Sequence, residues 1–206
     1  MFDALGGAQQ SVALTLYTDA FVIRGTLESR QRRITDILNT ADERFLVLSD
    51  VTFDEFGTTG RTIRSDFAQV NLASVLFAVA DTPVEPAPEL RTPKTPEEAL
   101  ISVPPFTVIG HIHLLPERSL RESLSELTGH FLPVTEATYW SDSLGEARAT
   151  AALVAVNHAR AQLMAPHREV DPWAGLDRPG SGSSARPADG PGPTGSNGSS
   201  EEPTGW

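Results

Sequence analysis

The chain has 206 residues, enough for one medium domain or two small ones, with hydrophobic (39 %) and charged (21 %) fractions ordinary for a globular protein. It contains no cysteine, which excludes disulfides, thiolate metal sites and cysteine nucleophiles and fits a reducing compartment. A net charge of −11 opposes nonspecific attraction to phosphate backbones and anionic membranes, so RNA is a disfavoured partner. The start, MFDALGGAQQ, has neither a basic segment nor an apolar run, and no stretch reaches the roughly 18 apolar residues of a membrane span. A cytoplasmic location with no membrane partner is the expectation.

Residues 1–10 read as a flexible N-terminus. VALTLY, a TDA turn and FVIRGTLE then predict a hairpin over 12–28. In its second strand Phe21, Ile23, Gly25 and Leu27 share one face, while Val22, Arg24, Thr26 and Glu28 share the other. RITDILN (33–39) predicts a short helix. FLVLSDVTF (45–53) predicts a strand, apolar on both faces in its first half, which is central or bends at Ser49–Asp50. After a loop with Gly57 and Gly60 and one optional strand, the last element, QVNLASVLFAV (69–79), is ambiguous between helix and strand, and its β-branched content and lack of caps favour a strand.

DTPVEPAPELRTPKTPEE (81–98) carries Pro83, Pro86, Pro88, Pro93 and Pro96 and reads as an extended, stiff connector. Beyond it the same elements recur. ALISV, a Pro104–Pro105 turn and FTVIGHIHL form a second hairpin. Ser119 and Glu122 make a capping box ahead of a stripe of Leu120, Leu124 and Leu127. Phe21, Ile23 and Gly25 fall on Phe106, Val108 and Gly110 at an offset of 85 residues. At an offset of 86, Phe45, Leu46 and Leu48 meet Phe131, Leu132 and Val134, and Val70, Asn71 and Ala73 meet Val156, Asn157 and Ala159. One register kept this long marks a tandem duplication. The repeats are assigned to 11–80 and 99–167. From 168 to 206 Gly, Pro and Ser dominate, predicting a disordered tail in which Trp173 and Trp206 are incidental or short anchors.

VALTLYTDAFVIRGTLES, FLVLSDVTF and VNLASVLFAV together resemble the strands of Sm-like small barrels, where a GxL strand precedes an apolar strand ending in a carboxylate and a short strand closes the barrel. VNHARAQLMAP is similar to the closing motif of the bacterial host-factor branch. The resemblance implies single-stranded RNA contacts at Asn157 and His158, with Leu72 replacing the histidine in the first repeat. RITDILN and SLRESLSEL stand where that family has a tight loop carrying RNA-contacting residues. The duplicated unit as a whole also resembles uncharacterised bacterial proteins.

His111 and His113 lie two apart on one strand, so they share a face and could bind zinc if Glu117, His130 or His158 completed the set. The repeat favours a plainer reading, because they take the places of Thr26 and Glu28 on the polar face. Arg30, Arg32 and Arg33 could grip phosphate or form a solvated loop. Asn71 and Asn157 recur at one position, serving backbone geometry or a paired binding site. Asp50 and Glu136 recur as a carboxylate at a turn or barrel rim. No nucleophile elbow or phosphate-cradling loop is present.

The expected fold class is mainly β with short helices: two tandem Sm-like or SH3-like small-barrel units, a pseudo-two-fold pair or strand-exchanged into one joint core. The expected function is a non-enzymatic scaffold or regulatory protein-interaction module, oligomeric, without a cofactor, acting on a protein partner or itself. Sm-like RNA binding and a metal site at His111 and His113 are the alternatives.

Overall fold

A computed structural model describes residues 10–29, 33–39, 44–57, 61–80 and 93–168. The expectations for residues 1–9, for Arg30 and Arg32, for most of the connector and for the tail with Trp173 and Trp206 lie outside the described residues, while Gln10, expected in the flexible N-terminus, begins the first strand.

The first repeat consists of β1 (Gln10–Thr18), β2 (Phe21–Ser29), α1 (Ile34–Asn39), β3 (Phe45–Glu55), β4 (Thr62–Asn71) and β5 (Val75–Ala80). The second consists of β6 (Thr95–Val103), β7 (Phe106–Leu114), α2 (Leu120–Ser125), β8 (Phe131–Ser141), β9 (Glu146–Asn157) and β10 (Leu163–Pro166). The strands form one ten-stranded antiparallel open sheet in the order β10-β6-β7-β8-β9-β5-β1-β2-β3-β4. Each repeat therefore contributes the same spatial order, with its last strand beside its first.

The duplication holds to the residue. Leu14 pairs with Gly25 and Ala80 in the first repeat, and Ala99 pairs with Gly110 and Pro166 in the second. Both hairpins and both helices fall where periodicity and capping place them. The Ser119–Glu122 capping box is formed, with the Ser119 hydroxyl accepting from the Glu122 amide and the Glu122 carboxylate accepting from the Ser119 amide.

The glycine shared by the repeats has a steric cause. A Cβ at Gly25 would lie 3.0 Å from Leu48 Cβ and 3.1 Å from Ser49 O; one at Gly110 would lie 2.7 Å from Val134 Cγ1 and 2.8 Å from Thr135 O. The facing strands β3 and β8 bulge there and press onto the glycine. The bulge places Asp50 and Glu136 at φ +50°, a left-handed conformation uncommon for side-chain-bearing residues. The recurring carboxylate is thus a bulge residue, and β3 bends at Ser49–Asp50.

Two local features depart from expectation. QVNLASVLFAV is not one strand. It contains the end of β4, a 3-10 turn over Leu72–Ser74 and the start of β5, because the Asn71 side chain accepts from Ala73 N and turns the chain. VNHARAQL breaks the same way at His158–Arg160. Strand β6 also begins at Thr95, inside the expected connector. β10 pairs only with Ala99–Ser102, so Pro96 sits where β6 has no second neighbour to receive a hydrogen bond.

The repeats do not meet as a pseudo-two-fold pair. β9, the fourth strand of its repeat, pairs with β5, the fifth of the other, through Phe77–Val156, Ala78–Ala155 and Val79–Val154. A two-fold would pair like with like; this joint is head to tail and leaves β4 and β10 as the outer strands. Among the described residues no strand is exchanged, yet each core is completed across the joint. Leu76 and Phe77 pack into the core of the second repeat, and Phe131 and Ala155 into that of the first.

Gly110→Ala is expected to cost about 1–3 kcal/mol, the usual cost of overpacking, and Gly25→Ala less, because its nearest atoms stand farther off. Urea denaturation checks the order; a Gly110→Ala protein as stable as the parent would contradict it.

Candidate functional site

The polar positions singled out in the sequence fall at two places. The larger group lies at the joint. A cleft of about 650 Å³ is lined by Leu38, Arg44, Asn71, His130, Phe131, Asn157 and Arg160, with Leu72, Ala73 and Ala159 completing its wall.

Asn157 is 3 % exposed and fully employed. Its Oδ1 accepts from Ala159 N, while its Nδ2 donates to Val75 O at 2.9 Å and more weakly to Leu72 O at 3.4 Å. It caps its own turn and holds the other repeat's β4–β5 turn. Asn71 repeats the cap but is exposed. His158 Nε2 meets Gly129 O at 2.6 Å, tying the loop before β8 to the turn after β9.

Asn39 has the densest role at the joint and is not visible in the sequence. Its Oδ1 accepts from His130 N and Phe131 N at 2.7 and 2.8 Å, and its Nδ2 donates to Phe131 O at 2.8 Å. The matching residue, Ser125, donates only to Glu122 O in its own helix, so the repeat offers no signal. Arg160 pairs with Asp19 across the joint at 2.5 Å, but both side chains are well exposed, so the pair adds little stability. Arg44 and His130 bring further positive or titratable groups to the cleft wall.

An aromatic cluster spans the joint on the far side. Tyr17 stacks on Phe77 at 4.3 Å, and both meet Phe106 and Tyr139 edge-on or tilted, at 5.1 to 5.5 Å. The Tyr17 and Tyr139 hydroxyls are 3.2 Å apart. Burial, and then the hydrogen bond to Tyr139, raise the Tyr17 pKa far above the ordinary phenol value, so it stays a neutral donor or acceptor.

His111 and His113 lie apart from the joint. His111 Nδ1 is 3.2 Å from a carboxylate oxygen of Glu136, the bulge residue, and His113 Nε2 is 2.7 Å from Thr135 Oγ1. Each histidine is thus matched to the facing strand. Glu117, His130 and His158 do not join them, and no group of three or more metal-ligating side chains occurs among the described residues. Partial burial, and then Lys94 and His111, lower the His113 pKa from its ordinary 6.5.

Compared with family models, curated proteins and solved structures, the chain matches none.

Asn157→Ala is expected to cost about 1–3 kcal/mol, because the carbonyl of Val75 and the amide of Ala159 lose their partner. Asn71→Ala is expected to cost markedly less in a dilute single chain, and equal losses on urea denaturation would contradict the assignment. For His113 the folded pKa lies below the unfolded one, so the unfolded chain binds more protons between the two values. The stability it contributes is complete above pH 6.5 and is lost as pH falls through the folded value. NMR titration is expected to place its midpoint below 6.5, and His113→Gln is expected to flatten the fall in stability below that pH.

Proposed function

We propose that this protein is a non-enzymatic, self-associating scaffold built from two Sm-like small-barrel units. The observation that carries this reading is what the two repeats share. They hold in common a glycine under a bulge, a carboxylate at the bulge and an asparagine cap, all of which shape backbone. The polar groups they do not share, the histidine pair and Asn39, are bonded to neighbouring protein groups. A duplicated catalyst or ligand site would instead repeat its reactive groups.

The small-barrel reading is supported by the return of each last strand to the first, β5 to β1 and β10 to β6. Marginal units of about 70 residues gain from a shared interface, and one sheet edge of each repeat is already used in this way. Light scattering of the full chain is expected to give a mass above one chain at micromolar concentration. A strict single-chain mass at every concentration, with no partner protein bound, would sink the reading.

A second reading, Sm-like RNA binding, is favoured by one observation: Arg44, His130 and Arg160 gather at the cleft next to Asn157. It requires salt-sensitive binding of single-stranded RNA that weakens on His158→Ala. No binding at low salt eliminates it.

A further inference from the structure

We infer that the outer edge of β4 docks β10 of a second copy of this chain, in the register by which β9 meets β5. The inference rests on the self-associating reading and names its partner and its edges. The joint inside the chain shows how a fourth strand receives a fifth. The sheet is bounded by one unused strand of each kind, and among the described residues none pairs with the outer side of β4 or of β10.

Residues equivalent to those buried at the internal joint are exposed at these two edges. Phe131 is 2 % exposed and its counterpart Phe45 43 %; Phe77 is fully buried and its counterpart Leu163 52 % exposed. Leu153 packs against the first repeat's core, whereas its counterpart Phe67 is 65 % exposed. Large apolar side chains at matched positions on a donor and an acceptor edge are what an uncompleted joint leaves behind.

The acceptor is already shaped. Phe77 contacts Phe106 and Tyr139 in the second repeat. Their counterparts Phe21 and Phe53, with Ile23, Ala68 and Val70, form the apolar part of a groove of about 430 Å³ beside β4, whose wall also includes Asp19, Gln69 and Asn71. This is the place that Leu163 of another chain takes if the joint recurs. Asn71 is placed in the same way. Its Oδ1 caps Ala73 N as Asn157 caps Ala159 N, and its Nδ2 has no partner among the described residues. The carbonyls matching those that Asn157 reaches belong to His158 and Ala161 of the incoming copy.

The docked joint lacks three features of the internal one. Ser125 replaces Asn39, Pro104 replaces Asp19, and Ser102 replaces Tyr17. It is therefore the weaker of the two and dissociates on dilution. Because donor and acceptor edges differ, the contact is heterologous and makes rings or open chains according to the rotation per joint.

The parent chain has no cysteine, so single thiols can be placed freely. The register sets Gln69 opposite Met164 of the next chain, as Ala155 stands opposite Ala78. Full-length Gln69→Cys and Met164→Cys chains are treated with a short thiol cross-linker, each alone and mixed. The expected result is a linked pair of chains in the mixture only. Either variant linking to itself, or no link in the mixture, overturns the inference; the second outcome includes β4 being covered by this chain's own tail or by a different protein. Phe45→Glu, at a residue exposed in the single chain, is expected to reduce the assembly to single-chain mass with an unchanged circular dichroism spectrum; an unchanged mass overturns the docking edge. An assembly that persists without the link leaves the scaffold reading standing, whereas a strict single chain that binds no partner removes both.

Discussion

The structure depends on a short ladder, three residue pairs long, between β5 and β9. Each repeat is too small to bury much apolar surface alone. The ladder lets each fill a gap in the other, Phe77 entering the core of the second repeat and Phe131 that of the first. Around it sit side chains that satisfy backbone groups at the ends of the strands. Asn157 serves the carbonyl of Val75, and Asn39 serves both the amide and the carbonyl of Phe131. The ladder aligns the backbones, and these two amide side chains hold the turns at its ends.

Much of this was legible in the sequence because repetition adds information. Phe21, Ile23 and Gly25 over Phe106, Val108 and Gly110 identified two strands at once, and the steric role of the glycine explains why that position stands out. Alternation revealed the hairpins, and Ser119 with Glu122 marked the start of α2. What stayed hidden is whatever differs between repeats or arises where they meet. Asn39 has a serine as its counterpart, and its partners are some 90 residues away in sequence. The break after Asn71 is hidden from periodicity because a single side chain bonding two residues on outweighs the strand preference of its apolar neighbours. The direction of the joint is a property of edges, on which periodicity is silent.

The histidine pair illustrates how context assigns a polar residue. Two histidines on one strand face satisfy the spacing of a metal site, but the facing strand offers Glu136 and Thr135, and each histidine takes one. Glu136 is available because the bulge gives its backbone a positive φ beside His111. In the first repeat the corresponding residues are Thr26 and Asp50, and Thr26 instead meets Ser49 O. The same bulge thus supports different surface chemistry in the two repeats.

Residue-for-residue repetition of the register carries a hazard during folding. β5 and β10 are built to lie beside β1 and β6 in the same alignment, so each could take the other's place at little cost in backbone hydrogen bonding. Both pairings join strands far apart in the chain, the kind of non-local contact that slows folding, and misassembly is a characteristic failure of repeat proteins. What discriminates is side-chain fit. Tyr17 on β1 offers a ring that stacks on Phe77 of β5, whereas Ser102 on β6 faces Leu163 of β10. The aromatic stack can thus act as a proofreading contact, letting a duplicated chain tell its own halves apart.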